Sequence, residues 1–144
     1  MEQEPLKIYD EMTIHYNYSY GGISKFFHEL KENARLLGAK CKKCNTVWCP
    51  PRANCPKCYS DIEWITLPGT GTIYTFTVVY YPSSGWTGDK PYVCAYIKLD
   101  GADNSIMHWI KDVDIANIKI GTRVKIKFKE VREGKISDFY FVLK

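Results

Sequence analysis

Between Ile23 and Leu37 the apolar residues fall on one stripe: Ile23, Phe26, Phe27, Leu30, Ala34 and Leu37, at i, i+3, i+4, i+7, i+11 and i+14. Polar and charged residues, among them Lys25, His28, Glu29, Lys31, Glu32 and Arg35, occupy most other positions. That spacing predicts an amphipathic helix over 23–37, with Gly38 placed as its left-handed C-terminal cap. Upstream, Tyr16, Tyr18 and Tyr20 alternate with Asn17 and Ser19 ahead of Gly21-Gly22, with no strand partner near them in sequence. Such a tract packs on its own helix or on another protein.

From Gly69 onward the pattern changes to β. Apolar residues on both faces of 71–81 (Ile73, Tyr74, Phe76, Val78, Val79, Tyr80) suit a long coiled strand shared between two sides of a small barrel. A Pro/Ser/Gly loop over 82–91 leads to a strand at 92–99, and Asp100-Gly101 turns the chain into another at 105–110. Residues 111–119 fit a short helical connection. In the next strand Val124, Ile126 and Phe128 alternate with Arg123, Lys125, Lys127 and Lys129 before Glu133-Gly134 turns into a last strand over 136–143. Five strands with a helical insert after the third is the OB-fold order, with an SH3-like barrel as the alternative. The reading is therefore mainly β with an N-terminal helix, divided into a helical segment 1–39, a Cys-rich ribbon 40–67 and a barrel 68–144.

Composition supports a packed protein. The 144 residues are 45% hydrophobic and 15% aromatic, which excludes whole-chain disorder. No apolar run reaches the ~18 residues a transmembrane helix needs, and Met1-Glu2-Gln3-Glu4-Pro5 lacks the basic-then-apolar order of a signal peptide. A cytoplasmic protein with no membrane partner is expected.

Six cysteines sharpen the picture. Four form Cys41-Lys42-Lys43-Cys44 and, ten residues later, Cys55-Pro56-Lys57-Cys58. Two such hairpins bring four thiolates to one tetrahedron, the arrangement of a structural zinc ribbon. A rubredoxin-like iron site uses the same ligands. A thioredoxin-type redox pair fits poorly, because neither pair opens a helix after a strand. Catalytic zinc fits worse, since four protein ligands leave no place for water. Cys49 and Cys94 read as small packed hydrophobes.

Lys40, Lys42, Lys43, Arg52 and Lys57 surround these cysteines without an acidic residue between Lys40 and Cys58. They balance a tetrathiolate centre, or they form a phosphate-binding face. A metal-loaded tetrad lowers the formal +4 charge by two, so overall basicity says little about partners. An OB barrel with aromatics such as Tyr74, Phe76, Tyr92, Tyr96 and Trp109 also admits a single-stranded nucleic-acid ligand, although the same residues equally fill a core. His15, His28 and His108 are scattered, and no triad, carboxylate pair or phosphate-cradling loop accompanies them.

One combination is specific. Leu37-Gly38, Cys41, Cys44, Pro50-Pro51-Arg52, Cys55-Pro56-Lys57-Cys58, Glu63-Trp64, Pro68-Gly69-Thr70-Gly71 and Tyr74-Thr75-Phe76-Thr77-Val78-Val79 follow one another in that order. Later, Tyr96-Ile97-Lys98-Leu99-Asp100-Gly101 and Ile120-Gly121-Thr122-Arg123-Val124 continue the match. From about Tyr16 onward the chain resembles the acyl-CoA-associated family with a rubredoxin-like zinc ribbon and an OB-fold, domain of unknown function thirty-five. Its helix residues Tyr18 or Tyr20, Gly22, Phe26 or Phe27 and Leu30 resemble the archaeal version that joins acetoacetyl-CoA thiolase to hydroxymethylglutaryl-CoA synthase. The resemblance implies a non-catalytic scaffold for thiolase-fold enzymes, with Zn²⁺ on Cys41, Cys44, Cys55 and Cys58. It implies docking through Tyr18, Tyr20, Phe26, Phe27 and Leu30. It also gives Lys42, Lys43, Arg52 and Lys57 a target in the phosphates of CoA or acyl-CoA.

Overall fold

The computed structural model describes residues 4–81 and 88–144. The loop expected over 82–91 falls largely on residues 82–87, outside the described residues. A 3-10 turn, Gly21–Ile23, leads into α1 (Ser24–Asn33). Strands β1 (Leu37–Cys41), β2 (Val47–Trp48) and β3 (Ile62–Thr66) form an antiparallel sheet in the order β2-β1-β3. Then β4 (Thr70–Val79), β5 (Tyr92–Leu99), β6 (Ser105–Ile110), β7 (Arg123–Phe128) and β8 (Phe139–Leu143) close into a barrel. The order is β4-β5-β6-β8-β7, with β7 pairing back to β4 and β8 lying parallel to β6. This is the OB-fold arrangement, and not the SH3-like one. The 3-10 turn Ile115–Asn117 stands where the helical insert was expected.

The helix is shorter than its apolar stripe. It ends when Ala34, not Gly38, takes the left-handed conformation (φ 47°), and Arg35 N–H bonds the Glu29 carbonyl at 3.2 Å. Leu37 instead begins β1, which pairs with β3 over five residues from Leu37↔Thr66 to Cys41↔Ile62. That ladder pairs the facing backbone groups of β3, which a longer helix would leave without partners. Gly38 serves packing: a Cβ there would meet Val47 Cγ1 at 3.0 Å and the Leu67 side chain at 3.3 Å.

Inside the barrel, alternation does the work predicted for it. Val93, Ala95, Ile97 and Leu99 of β5, Ile106 and Ile110 of β6, and Phe139 and Phe141 of β8 are buried. In β4 the apolar residues change sides at a bulge, where the register passes from Ile73↔Ile97 to Thr75↔Tyr96. Tyr74 is left over and is 69% exposed. The last strand begins at Phe139 rather than Ile136, because Ile136–Asp138 forms a 3-10 turn.

Ribbon and barrel are joined by side chains that imitate a strand edge. The Asp103 carboxylate accepts the Val47 N–H at 2.7 Å, and the Asp103 N–H donates to the Val47 carbonyl at 2.9 Å. The Asn104 amide closes a second pair on Cys49, accepting its N–H at 2.8 Å and donating to its carbonyl at 2.9 Å. The β5–β6 turn thus fixes the ribbon on the barrel rim.

Gly69 sits at the crossing from ribbon to barrel with φ +70°, and a Cβ there would lie 2.3 Å from Ile126 Cγ2. Left-handed strain and overpacking act together, so Gly69→Ala should lower stability by about 1–3 kcal/mol in urea titrations. An unchanged midpoint would show that Ile126 moves aside without cost.

Candidate metal centre and its surroundings

Each Cys pair turns back on itself in the same way. Asn45 and Tyr59, the residues after Cys44 and Cys58, adopt positive φ values of 59° and 58°. Asn45 N–H then reaches the Cys41 carbonyl at 3.0 Å, and Tyr59 N–H reaches the Cys55 carbonyl at 2.8 Å. Asn tolerates this backbone readily; Tyr in the second hairpin does so at some local cost. The hairpins are tied together where Lys42 N–H donates to the Asp61 carbonyl at 3.1 Å.

The four sulfurs lie within 4.8 Å of one another. Cys41 and Cys58 approach to 3.4 Å, Cys44 and Cys55 to 3.5 Å. Four thiolates at ~2.3 Å from a tetrahedral ion stand about 3.8 Å apart, so the donor set fits zinc with little adjustment. The backbone N–H groups of Lys43 and Cys44 both point at Cys41 Sγ from 3.3 Å and disperse its charge. The Thr46 hydroxyl, 3.3 Å from Cys44 Sγ, leads the contacts that lower the Cys44 thiol to about 6. The Ser60 backbone N–H lowers Cys58 as well. These directions favour thiolate at Cys44 and Cys58, whereas at Cys41 the N–H groups of Cys44 and Lys43 are outweighed by burial and the neighbouring thiols, which raise it to about 11. The four cysteines are clustered in position to bind one metal ion, consistent with structural Zn²⁺; they would fill its tetrahedral shell and leave no open coordination position.

Around it, Lys42, Lys43, Arg52 and Lys57 are exposed, and among the described residues none of them forms an ion pair, whereas Lys40 pairs with Glu63 at 3.5 Å. Lys57 Nζ lies 3.5 Å from Thr46 Oγ1 and 6.0 Å from the centre of the Trp48 ring. The charge excess of the ribbon is thus carried by side chains within or next to the two knuckles.

The docking candidates divide. Phe26 and Leu30 are 0% exposed and belong to the chain's own core, so they offer nothing to a partner. The apolar stripe of α1 is spent on holding the helix to this protein. Tyr18 is 67% exposed, and Tyr20 stacks on Phe27 with ring centres 3.6 Å apart.

The other titratable candidates are structural. Burial pushes the Cys49 thiol up to about 12 and raises Cys94. His108 is buried, which lowers its pKa; its Nε2 faces the Ile136 carbonyl at 2.9 Å while Nδ1 accepts the Trp109 N–H at 2.9 Å. Those partners describe a neutral imidazole protonated at Nε2. On the outer face of β4-β5-β6, two shallow cavities of about 200 Å³ each share Cys94 and Met107. Alternation in β5 and β6 marks these outward positions in the sequence, but nothing there distinguishes a groove from a plain solvated face.

Comparison with known proteins agrees with this architecture. Residues 29–63 match the family model described as "ChsH2, rubredoxin-like zinc ribbon domain", and residues 64–129 match "ChsH2, C-terminal OB-fold domain". The "DUF35 domain-containing scaffold protein" of Methanocaldococcus jannaschii is 34% identical over 113 residues, covering 77% of this chain and 79% of the relative. The chain belongs to the DUF35 family. A further match reaches the "Probable enoyl-CoA hydratase alpha subunit" of Thermomonospora curvata, 33% identical over 75 residues, covering 51% of this chain and 23% of that one. Among solved structures, "Ltp2-ChsH2(DUF35) aldolase" superposes with a TM-score of 0.65 at 26% identity, covering 83% of this chain and 91% of that one. Family membership therefore extends over both ribbon and barrel.

Proposed function

We propose that this DUF35 chain is a non-catalytic scaffold of acyl-CoA metabolism that joins thiolase-fold enzymes, acetoacetyl-CoA thiolase and hydroxymethylglutaryl-CoA synthase. The observation that carries the reading is a match to a relative named as a scaffold that spans most of both chains. A shared module in a protein named for enoyl-CoA hydration, and another in a structure named for an aldolase assembly, support an acyl-CoA setting. A scaffold holding two active sites together raises the effective concentration of the intermediate passed between them. The exposed Lys42, Lys43, Arg52 and Lys57 give the ribbon a cationic face suited to the pyrophosphate and 3′-phosphate of CoA.

Mixing the full chain with the two purified enzymes should give a ternary complex in size-exclusion chromatography. Elution of all three proteins as separate species would reject the scaffold reading. Reversing the four ribbon charges to Glu should weaken CoA binding by about 10-fold or more in calorimetry. Equal affinity would remove CoA from this face. Binding of a single-stranded oligonucleotide, steeply weakened by salt, would instead favour a nucleic-acid role for the barrel.

A further inference from the structure

The segment ahead of α1 carries a pattern that neither helix nor barrel uses. From Met12 to Tyr20 the chain reads Met-Thr-Ile-His-Tyr-Asn-Tyr-Ser-Tyr. Met12, Ile14, Tyr16, Tyr18 and Tyr20 alternate without a break with Thr13, His15, Asn17 and Ser19. Period two over nine residues, rich in β-branched and aromatic side chains and free of Gly and Pro, is that of a strand with one covered face.

No strand forms within this chain. Residues 4–20 have no regular structure, and among the described residues no backbone–backbone hydrogen bond reaches 12–19. Met12, Ile14, Tyr16 and Tyr18 are 84%, 69%, 74% and 67% exposed. The tyrosines nevertheless share one side of the segment. Ring centres of Tyr16 and Tyr18 are 5.9 Å apart and those of Tyr18 and Tyr20 5.5 Å, as neighbours at i and i+2 on an extended chain would be. The ladder ends on the folded body, where Tyr20 stacks on Phe27.

We infer that Met12–Tyr20 docks by β-strand addition, pairing with the open edge of a sheet in the acyl-CoA enzyme that this chain scaffolds. This rests on the scaffold reading above. The chain itself, or a second copy of it, offers a poor edge. Its barrel is closed, and the outer strands of the ribbon sheet are two and five residues long against nine in the arm. Met12, Ile14, Tyr16 and Tyr18, at about 150 Å² each, bring roughly 600 Å² before backbone is counted, near the about 800 Å² per partner of a stable interface. The arm from Met12 to Tyr20 holds no Asp, Glu, Lys or Arg. The complementary edge is therefore uncharged and flanked by an apolar strip with room for tyrosine rings. Backbone pairing supplies affinity, and alternate side chains supply register.

Hydrogen exchange on the full-length chain, alone and with purified acetoacetyl-CoA thiolase or hydroxymethylglutaryl-CoA synthase, tests the pairing. Protection of alternate amides within 12–20 is expected only in the complex. Single proline replacements from Thr13 to Asn17, each compared with alanine at the same position, should weaken binding by about tenfold or more beyond that alanine at one parity and little beyond it at the other, because alternate N–H groups face the edge. His15→Ala and Asn17→Ala should bind within about twofold of the parent, because these changes keep the N–H and leave the apolar face intact. An enzyme that binds the full chain while these amides stay unprotected, or prolines as mild as alanines throughout, overturns strand addition and leaves the scaffold reading standing. Failure of both enzymes to bind the full chain overturns the two together. Protection that appears in the chain alone and rises with its concentration assigns the strand to a second copy, against the inference.

Discussion

Cys44→Ser, or removal of Zn²⁺ by a strong chelator, should unfold the ribbon while the barrel remains. The reason lies in how little else holds residues 40–60. Strand β2 has two residues, and the two hairpins contribute few buried side chains apart from Cys41, Val47, Cys49 and Cys55. Structural zinc in small modules is worth about 10–16 kcal/mol in apparent binding, which no such core replaces. The barrel has its own interior of Ile73, Val93, Ile97, Ile106, Val124, Phe139 and Phe141. Calorimetry should therefore resolve a metal-dependent transition that disappears with chelator and a barrel transition that persists at lower temperature. The shift arises because the Val47 and Cys49 backbone groups that pair with Asp103 and Asn104 are then lost. Cys49→Ala is the control: it changes a buried thiol that is not in the tetrad, so metal content should stay at the parent level. A Cys44→Ser protein that keeps both full metal content and an unchanged ribbon transition would remove Cys44 from the ligand set.

The cysteine spacing and the strand alternation made the metal tetrad and the barrel legible in sequence, because both are local patterns with one physical meaning. The failures come where meaning depends on what lies opposite. An apolar stripe on α1 says that Phe26 and Leu30 are covered but not by whom, and here the cover is the protein's own core. Ala34 ends the helix in a conformation usually left to Gly, because pairing of Leu37–Cys41 with β3 requires the chain to turn there. The Asp103 and Asn104 clamps are ordinary turn residues in sequence. Their roles appear only when β2 is brought against them across more than fifty positions.

Asp138→Ala should be the most damaging single change among the acidic side chains, by about 2–4 kcal/mol in urea unfolding at neutral pH. The Asp138 residue is 3% exposed, and one carboxylate oxygen accepts the N–H groups of Glu133, Gly134 and Lys135 at 3.0, 2.7 and 3.0 Å. Its own backbone closes the turn, accepting from Lys129 at 2.8 Å and donating to Lys135 at 3.0 Å. That β7–β8 turn carries the helix: Arg132 Nε donates to the Lys31 carbonyl at 2.9 Å. Loss of the carboxylate frees three donors together and loosens α1 from the barrel. Burial alone would raise the Asp138 pKa, but the three N–H groups hold it below the ordinary carboxylate value. A depressed folded pKa means stability present at neutral pH that begins to fade below about pH 4, the unfolded value, and is lost as pH falls through the folded one. Asp138→Asn keeps the shape and one acceptor without the charge, so its stability should fall less steeply over that acidic window than the parent's. Parallel pH profiles for parent and Asn variant would show that the carboxylate charge contributes nothing to the turn.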